Sequence, residues 1–272
     1  MTAEQTEALA QLEARLSDHL SKSDRGSIAV SRFLTPQERK QAERYLAQRG
    51  VRHRCVFWGG YGDAERTCLL IYPPFYEDFP DWIPAQGADP SEPLEENDQE
   101  RVTAVRINGS GFRVLTHRDY LGSLLGLGLE RNALGDIAVQ SDCEAVVFCK
   151  ARLVTFLIDA LQKVASDTVR CSAYTVDGNF TDGRHYKPIS DTVASARLDC
   201  VVAALTNLSR DDAQNAVRSG LVDVDFETEE RVDRTLTAPA TVSVRGFGRY
   251  ILRAFDGETK KGRLRLRADQ LV

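Results

Sequence analysis

Residues 209–224, "SRDDAQNAVRSGLVDV", decide how the last third of the chain is read. Ser209 is a favoured N-cap, Asp212 three residues on is its box partner, and Gly220 is a helix stop. "LVDV" then alternates apolar and polar as a half-buried strand does. The stretch predicts a short helix, closed by glycine and followed at once by a strand. Ala213, Ala216 and Val217 face inward. Arg210, Gln214 and Arg218 are spaced by four, so they drift only ~40° per step around the helix and share one solvent face. A capped helix start offers N–H groups and partial positive charge to an anion, and arginine's planar fork suits phosphate.

The chain carrying this basic face has a formal net charge of −5. The charge is unevenly placed. Residues 76–100 hold nine acidic side chains and no Lys or Arg, whereas residues 242–268 hold eight Lys or Arg against two acids. A pI near 5.5 therefore does not argue against an RNA partner. Hydrophobic content of 42% and charged content of 28% fit a globular protein. The first twenty residues read as an amphipathic helix with Leu9, Leu12 and Leu16 on one side, not as a signal peptide. No run approaches the ~18 apolar residues of a membrane span, and a cytoplasmic location is expected. Cysteines 55, 68, 143, 149, 171 and 200 are scattered, with no C-x-x-C pair. They read as buried reduced thiols, with no metal and no cofactor.

Five segments are expected. Residues 1–75 form an α/β unit: Thr35, Pro36 and Glu38 open a helix with a capping box, Gly50 stops it, and Val51–Trp58 and Thr67–Tyr72 form a hairpin around "GGYGDAE". Residues 76–100 are an acidic linker or loop. In residues 101–176, "RVTAVRI" and "FRVLT" are expected to pair. Thr116 and Asp119 open a helix, "EAVVFC" is a strand running into a helix over "KARLVTFLIDALQKVA", and "TVRCSAYTV" closes the unit. Two helices on an antiparallel-leaning sheet make an α+β plait of the ferredoxin/RRM-like type, without the aromatic pattern that stacks bases on an RRM sheet. Residues 177–192 are a turn-rich linker. From residue 193 a helix N-capped by Ser195 carries Leu198, Val201, Val202 and Leu205 at helical spacing. The strands "TVSVRG", "RYILRAF" and "RLRLR" follow, with Arg263, Arg265 and Arg267 opposite Leu264 and Leu266.

The two helices and following strand, through "SARLD" (195–199), "NLSR" (207–210), "AQNAVRSGLVDV" (213–224) and "SVRGFGRY" (243–250), resemble the S4 RNA-binding domain. The resemblance implies that residues 193–272 are an S4 (αL) domain whose second helix and next strand form a basic face on structured RNA. Arg197, Ser209, Arg210, Gln214 and Arg218 would line it, with Arg245, Arg249, Lys260, Lys261 and Arg263 extending it. Asp223 and Asp225 depart from the pattern near that face; they either point away or pair with Arg249 or Arg253. "THRDYLGSLLGLGLERNALGDIAV" (116–139), ahead of "TKKGRLRLR", is similar to bacterial YlmH-type (RqcP) S4-domain proteins. That implies a non-enzymatic partner of the large ribosomal subunit, touching rRNA and tRNA, that supports rescue of stalled nascent chains. It implies no DNA, no membrane, and a monomer off the ribosome.

"HRD" at 117–119 is not a kinase loop, because Leu124 stands where a metal-binding Asn is needed. His117, Arg118 and Arg131 are either an RNA grip or a charged helix end. "GSLLGLG" falls within and after a helix, so it is not a dinucleotide loop. Pseudouridine synthases carry a catalytic Asp in a similar R-L-D, but "CVVAAL" after Asp199 is a plain apolar helix. An S4-bearing RNA-modifying enzyme is the alternative function, and an adaptor binding protein through the acidic loop is a third.

Overall fold

Leu12, Leu16 and Leu20 run down one side of the first helix, α1 (Ala3–Asp24), and are buried, with Leu9 at the margin of the stripe. They meet β1 (Ala29–Leu34) and α2 (Pro36–Gln48). The capping box opening α2 is made as expected: the Glu38 N–H donates to Thr35 Oγ1 (3.2 Å) and the Thr35 N–H to Glu38 Oε2 (2.8 Å). Gly50 lies at φ +69° just past the helix end, where a side chain would be strained. β2 (Cys55–Trp58) and β3 (Thr67–Ile71) pair antiparallel in the order β1-β3-β2. The expected hairpin is present, but residues 52–54 are a 3-10 turn, so its first strand starts at Cys55.

The structure is a computed structural model describing residues 3–76 and 98–272. The expected acidic loop thus lies largely outside the described residues. Its last residue, Glu100, pairs with Lys150 and Arg152. Contacts divide the chain into two units, Met1–Gly183 and Arg184–Val272.

The first unit continues with β4 (Val102–Gly109), α3 (His117–Gly126), β5 (Leu134–Ser141), β6 (Glu144–Lys150), α4 (Val154–Ala160), β7 (Lys163–Val164) and β8 (Asp167–Tyr174). The strands form an antiparallel sheet ordered β5-β6-β4-β8-β7. Val105, Ile107, Val147 and Val169 pack with Tyr120, Leu124 and Leu157 from the two helices. Thr116 and Asp119 cap α3 as expected. Two expectations fail. "FRVLT" is not a strand, because β6 and β8 already occupy both sides of β4; residues 110–116 form a loop with Phe112 and Val114 exposed. The helix expected through Val164 ends at Ala160, because Val164 pairs with Asp167 in a tight hairpin.

The opposite sheet face is covered. Tyr61, Ala64 and Phe180 pack there on Phe148, Val146 and Ala104, with Tyr61 and Phe148 centroids 4.9 Å apart. Beneath them the buried Asp136 carboxylate accepts from Tyr61 Oη (2.8 Å), the Glu65 N–H (2.8 Å) and the Arg66 N–H (3.1 Å). One glycine of "GGYGDAE", Gly60, is needed for this seat. Gly60 has φ +104°, and a Cβ there would lie 2.2 Å from the Phe148 ring.

The second unit comprises β9 (Tyr186–Val193), α5 (Leu198–Thr206), α6 (Arg210–Arg218), β10 (Val222–Val224), β11 (Glu227–Thr228), β12 (Ala240–Val244), β13 (Gly248–Glu258) and β14 (Leu264–Leu271). The sheet order is β11-β10-β12-β13-β14-β9. Residues 186–192, expected as linker, are instead an edge strand paired along β14. Pro188 and the polar run "SDT" hid it, and an edge position tolerates both. Leu198, Val201, Val202, Leu205, Ala213 and Val217 join Val222, Val242 and Leu252 in one core. Asn207 in a left-handed conformation (φ +58°) ends α5 ahead of α6. The N-cap of α5 is Arg197, not Ser195. The Leu198 and Asp199 N–H groups donate to the Arg234 and Val232 carbonyls, which replace a side-chain cap.

Gly60→Ala combines positive-φ strain with a ring clash, and we expect it to destabilise the chain by about 1–3 kcal/mol. Urea unfolding checks this; a midpoint equal to the parent's would mean that the loop shifts without penalty.

Candidate nucleic-acid interface

Asp199 is the one acid in the apolar helix α5, and it is fully buried. An isolated buried carboxylate is strongly disfavoured, so it must be matched by donors. Arg197 Nε donates to its Oδ1 (3.0 Å) and Arg197 Nη2 to Oδ2 (3.3 Å). Gln214 Nε2 donates to Oδ2 (3.0 Å), as do Arg210 Nε and Nη2 (both 3.4 Å), and the Cys200 N–H to Oδ1 (3.0 Å). Arg218 Nη2 then donates to Gln214 Oε1 (3.3 Å). Burial alone would raise the Asp199 pKa. Hydrogen bonds from Arg197 and Gln214 and the charges of Arg197 and Arg210 outweigh it and hold the carboxyl at about 2.

The four-residue spacing on α6 is thus explained. Arg210 and Gln214 reach back across the helix pair to one buried acceptor, and Arg218 continues the row. The Arg197 and Arg210 side chains stay 37% and 56% exposed, so most of their donors remain available to a ligand. Three guanidiniums are set against Asp199, with Asp233 also acting on Arg197, so positive charge is in excess on this face.

The start of α6 is less suited to phosphate than its sequence suggests. Ser209 Oγ accepts from the Asp212 N–H (3.1 Å) and donates to Asp212 Oδ2 (2.6 Å). With Asp211 and Asp212 in the first turn, the helix end already has its negative charge. Ser209 is therefore a cap. The basic face is the side of α6, not its end.

Of the other expected residues, Arg263 is brought beside Arg210 and the rest lie elsewhere on the unit's strands and turns. Arg263 donates to the Thr192 carbonyl and to Thr192 Oγ1 (3.1 Å), and with Arg210 lines a recess of about 230 Å³ between β9 and α5. Arg265 and Arg267 point outward, opposite Leu266, and Arg267 pairs with Asp256. Arg249 lies over the Phe226 ring (5.3 Å), Arg245 is exposed after β12, and Lys260 and Lys261 are exposed in the β13–β14 turn. Asp223 and Asp225 have other partners than Arg253, which pairs with Asp269 (2.7 Å). Thr228 Oγ1 donates to Asp223 and the Thr241 N–H to Asp225 (both 2.9 Å).

His117 and Arg118 are exposed at the start of α3. Arg131, by contrast, is tied to backbone carbonyls. Its Nη1 donates to the Leu134 and Gly135 carbonyls (both 2.9 Å), and burial lowers its pKa to about 10, helped by Arg66. It fastens the start of β5 while staying partly exposed.

Sequence reading missed a second buried carboxylate, Glu229. Arg231 holds it through Nε and Nη2 (both 3.0 Å) and Arg234 through Nη1 (2.7 Å), and the Arg231 hydrogen bonds take its pKa to about 2 despite burial. "EERVDR" has no periodicity that would mark it. The thiols are buried as expected for most positions. Burial pushes Cys55 and Cys171 up to about 11, and Cys68 and Cys149 up to about 12. Among the described residues no helix is long and apolar enough to cross a membrane.

This geometry defines an α+β protein with a preset guanidinium array on the helix pair of its second unit. Residues 95–177 match the family model described as "Putative RNA-binding domain in YlmH". Over 239 residues the chain is 29% identical to the "Ribosome-associated protein quality control protein P2" of Bacillus subtilis (strain 168), covering 88% of this chain and 86% of that protein. A solved structure, "Cell division protein ylmH from Streptococcus pneumoniae", is 17% identical, covering 64% of this chain and 93% of that one, with a TM-score of 0.48. The expected likeness to YlmH-type proteins is borne out.

The two buried acids predict an acid-sensitive second unit. Both folded pKa values lie below the ordinary 3.8 and 4.5, so their stabilisation is complete above about pH 4.5 and is lost as pH falls towards 2. Hydrogen exchange at pH 5 and pH 3, corrected for intrinsic rates, should show protection falling first in residues 196–236. Equal protection at both values would contradict the assigned ionisation.

Proposed function

We propose that this chain is a non-enzymatic RNA-binding protein of ribosome-associated quality control, cytoplasmic, that binds the large ribosomal subunit and supports rescue of stalled nascent chains. The observation that carries the RNA reading is the row Arg197, Arg210, Gln214 and Arg218: the first three donate to one buried carboxylate, Arg218 bonds to Gln214, and the outer donors are exposed. Such a row meets phosphates with its side chains already ordered, which reduces the entropic cost of binding. The similarity to a protein named for ribosome-associated quality control, along most of both chains, supports the cellular role.

In this reading residues 193–272 are an S4 domain, extended at its edge by β9. The element and strand order of residues 101–176 supports a ferredoxin-type plait, with residues 1–75 as a third part. rRNA is the main ligand and tRNA a second one. Asp199 is a positioning residue: a fully buried carboxylate held by four groups has no access to a nucleobase, which argues against the pseudouridine synthase alternative.

Arg210→Ala and Arg218→Ala should weaken binding to rRNA without unfolding the unit. Removing one arginine–phosphate interaction should flatten the log–log salt dependence by ~0.7–0.9. On a sucrose gradient of lysate the parent should travel with large subunits and the double variant should trail into soluble fractions. Unchanged affinity, slope and sedimentation in both variants would overturn the S4-face assignment.

A further inference from the structure

The geometry points to Phe112 as a base-stacking platform: we propose that the loop between β4 and α3 takes one unpaired nucleobase of RNA on the exposed Phe112 ring. The proposal rests on the reading that residues 95–177 contact RNA. The face on which a plait of this kind would ordinarily lay RNA is closed, because Tyr61, Ala64 and Phe180 pack on Phe148 and Ala104. Contact must come from an edge or a loop. Phe112 is 84% exposed, the most exposed large apolar side chain among the described residues.

The loop beneath it is braced. Asp167, 2% exposed, accepts from the Ser110 hydroxyl and from the Ser110 N–H (3.1 Å), and Ser110 Oγ accepts from the Phe112 N–H (3.2 Å). Beyond the ring, Leu115 is buried and its N–H donates to the Asp142 carbonyl (2.7 Å). Arg113 Nη1 reaches Ser166 Oγ (3.4 Å) and Arg113 Nη2 reaches Asp119 (3.6 Å). An aromatic held out between two fixed points loses little freedom when it stacks.

The surroundings select a base. Arg113, His117 and Arg118 lie within six residues of Phe112 in the chain and are exposed, so the segment carrying the ring is basic as well as apolar. Asp119 and the exposed Asp142 offset the two arginines, so stacking and not phosphate neutralisation supplies the affinity. Every base has a π-face, so such a contact tolerates sequence.

The test titrates the full chain with a fluorescent mixed-sequence single-stranded RNA oligonucleotide and with its duplex. Phe112→Ala should weaken single-strand binding about 5- to 150-fold, leaving duplex binding and the salt slope at parent values. Phe112→Tyr, which keeps the ring, should bind like the parent. Equal single-strand affinity in Phe112→Ala and parent overturns the proposal, as does a parent that does not bind the single strand or a Phe112→Tyr variant as weak as alanine. Arg210→Ala with Arg218→Ala, run alongside, reports on the S4 face by its slope, so either assignment can fail alone.

Discussion

A negative charge with no water around it must be matched by the protein, and Asp199 obliges the second unit to be built as it is. Its two oxygens require donors, and the chain supplies them from both helices: Arg197 before α5, Arg210 and Gln214 on α6. That demand ties α5 to α6 alongside the apolar contacts of Val201, Val202, Ala213 and Val217. It also fixes the rotamers of long side chains that would otherwise sample many conformations. A buried pair of this kind is weak evidence for stability, since an apolar replacement can be as stable. Its better justification is specificity of arrangement: three guanidiniums end on one face, already ordered.

The same device recurs. Asp136 gathers Tyr61 Oη and two backbone N–H groups, and so seats the glycine loop of the N-terminal hairpin on the β5–β6–β4 sheet. Glu229 gathers Arg231 and Arg234, and the segment they stiffen gives its Val232 and Arg234 carbonyls to the first N–H groups of α5. The net charge of −5 therefore says little about the surface a ligand meets. Several acids are internal acceptors, while the arginines they hold keep an outer side in solvent.

What was legible in the sequence was local. Thr35 with Glu38, Thr116 with Asp119, and Gly50 and Gly220 act within one helical turn, and each marks its boundary in the structure. The alternation of "RLRLR" and the four-residue spacing on α6 were readable for the same reason. What failed depended on neighbours distant in sequence. "FRVLT" has strand chemistry but no vacant partner, because β4 is flanked on both sides. "YKPISDTV" lacks strand chemistry yet pairs along all of β14, since one open edge remained. Arg131 looks like any surface arginine until the carbonyls of Leu134 and Gly135 are seen to hold it. The row on α6 was found, but its cause was not, because Asp199 lies in another helix.

Closure of the sheet face by Tyr61, Phe148 and Phe180 has a wider consequence for how such a protein selects RNA. An open sheet with aromatic rows reads several consecutive bases and so favours a sequence. Here the proposed phosphate contacts fall to the basic row on α6, and the 110–116 loop offers a single exposed ring. Neither element distinguishes one base from another. Selectivity must then come from combining contacts: an RNA that offers both a phosphate ridge and an accessible base gains from both, and others gain from one. Linked weak sites of this kind can exceed either alone by ~10²–10⁴ in apparent affinity when the geometry matches, and add nothing when it does not. Recognition by shape suits a large folded RNA, where phosphate ridges and flipped-out bases keep fixed distances.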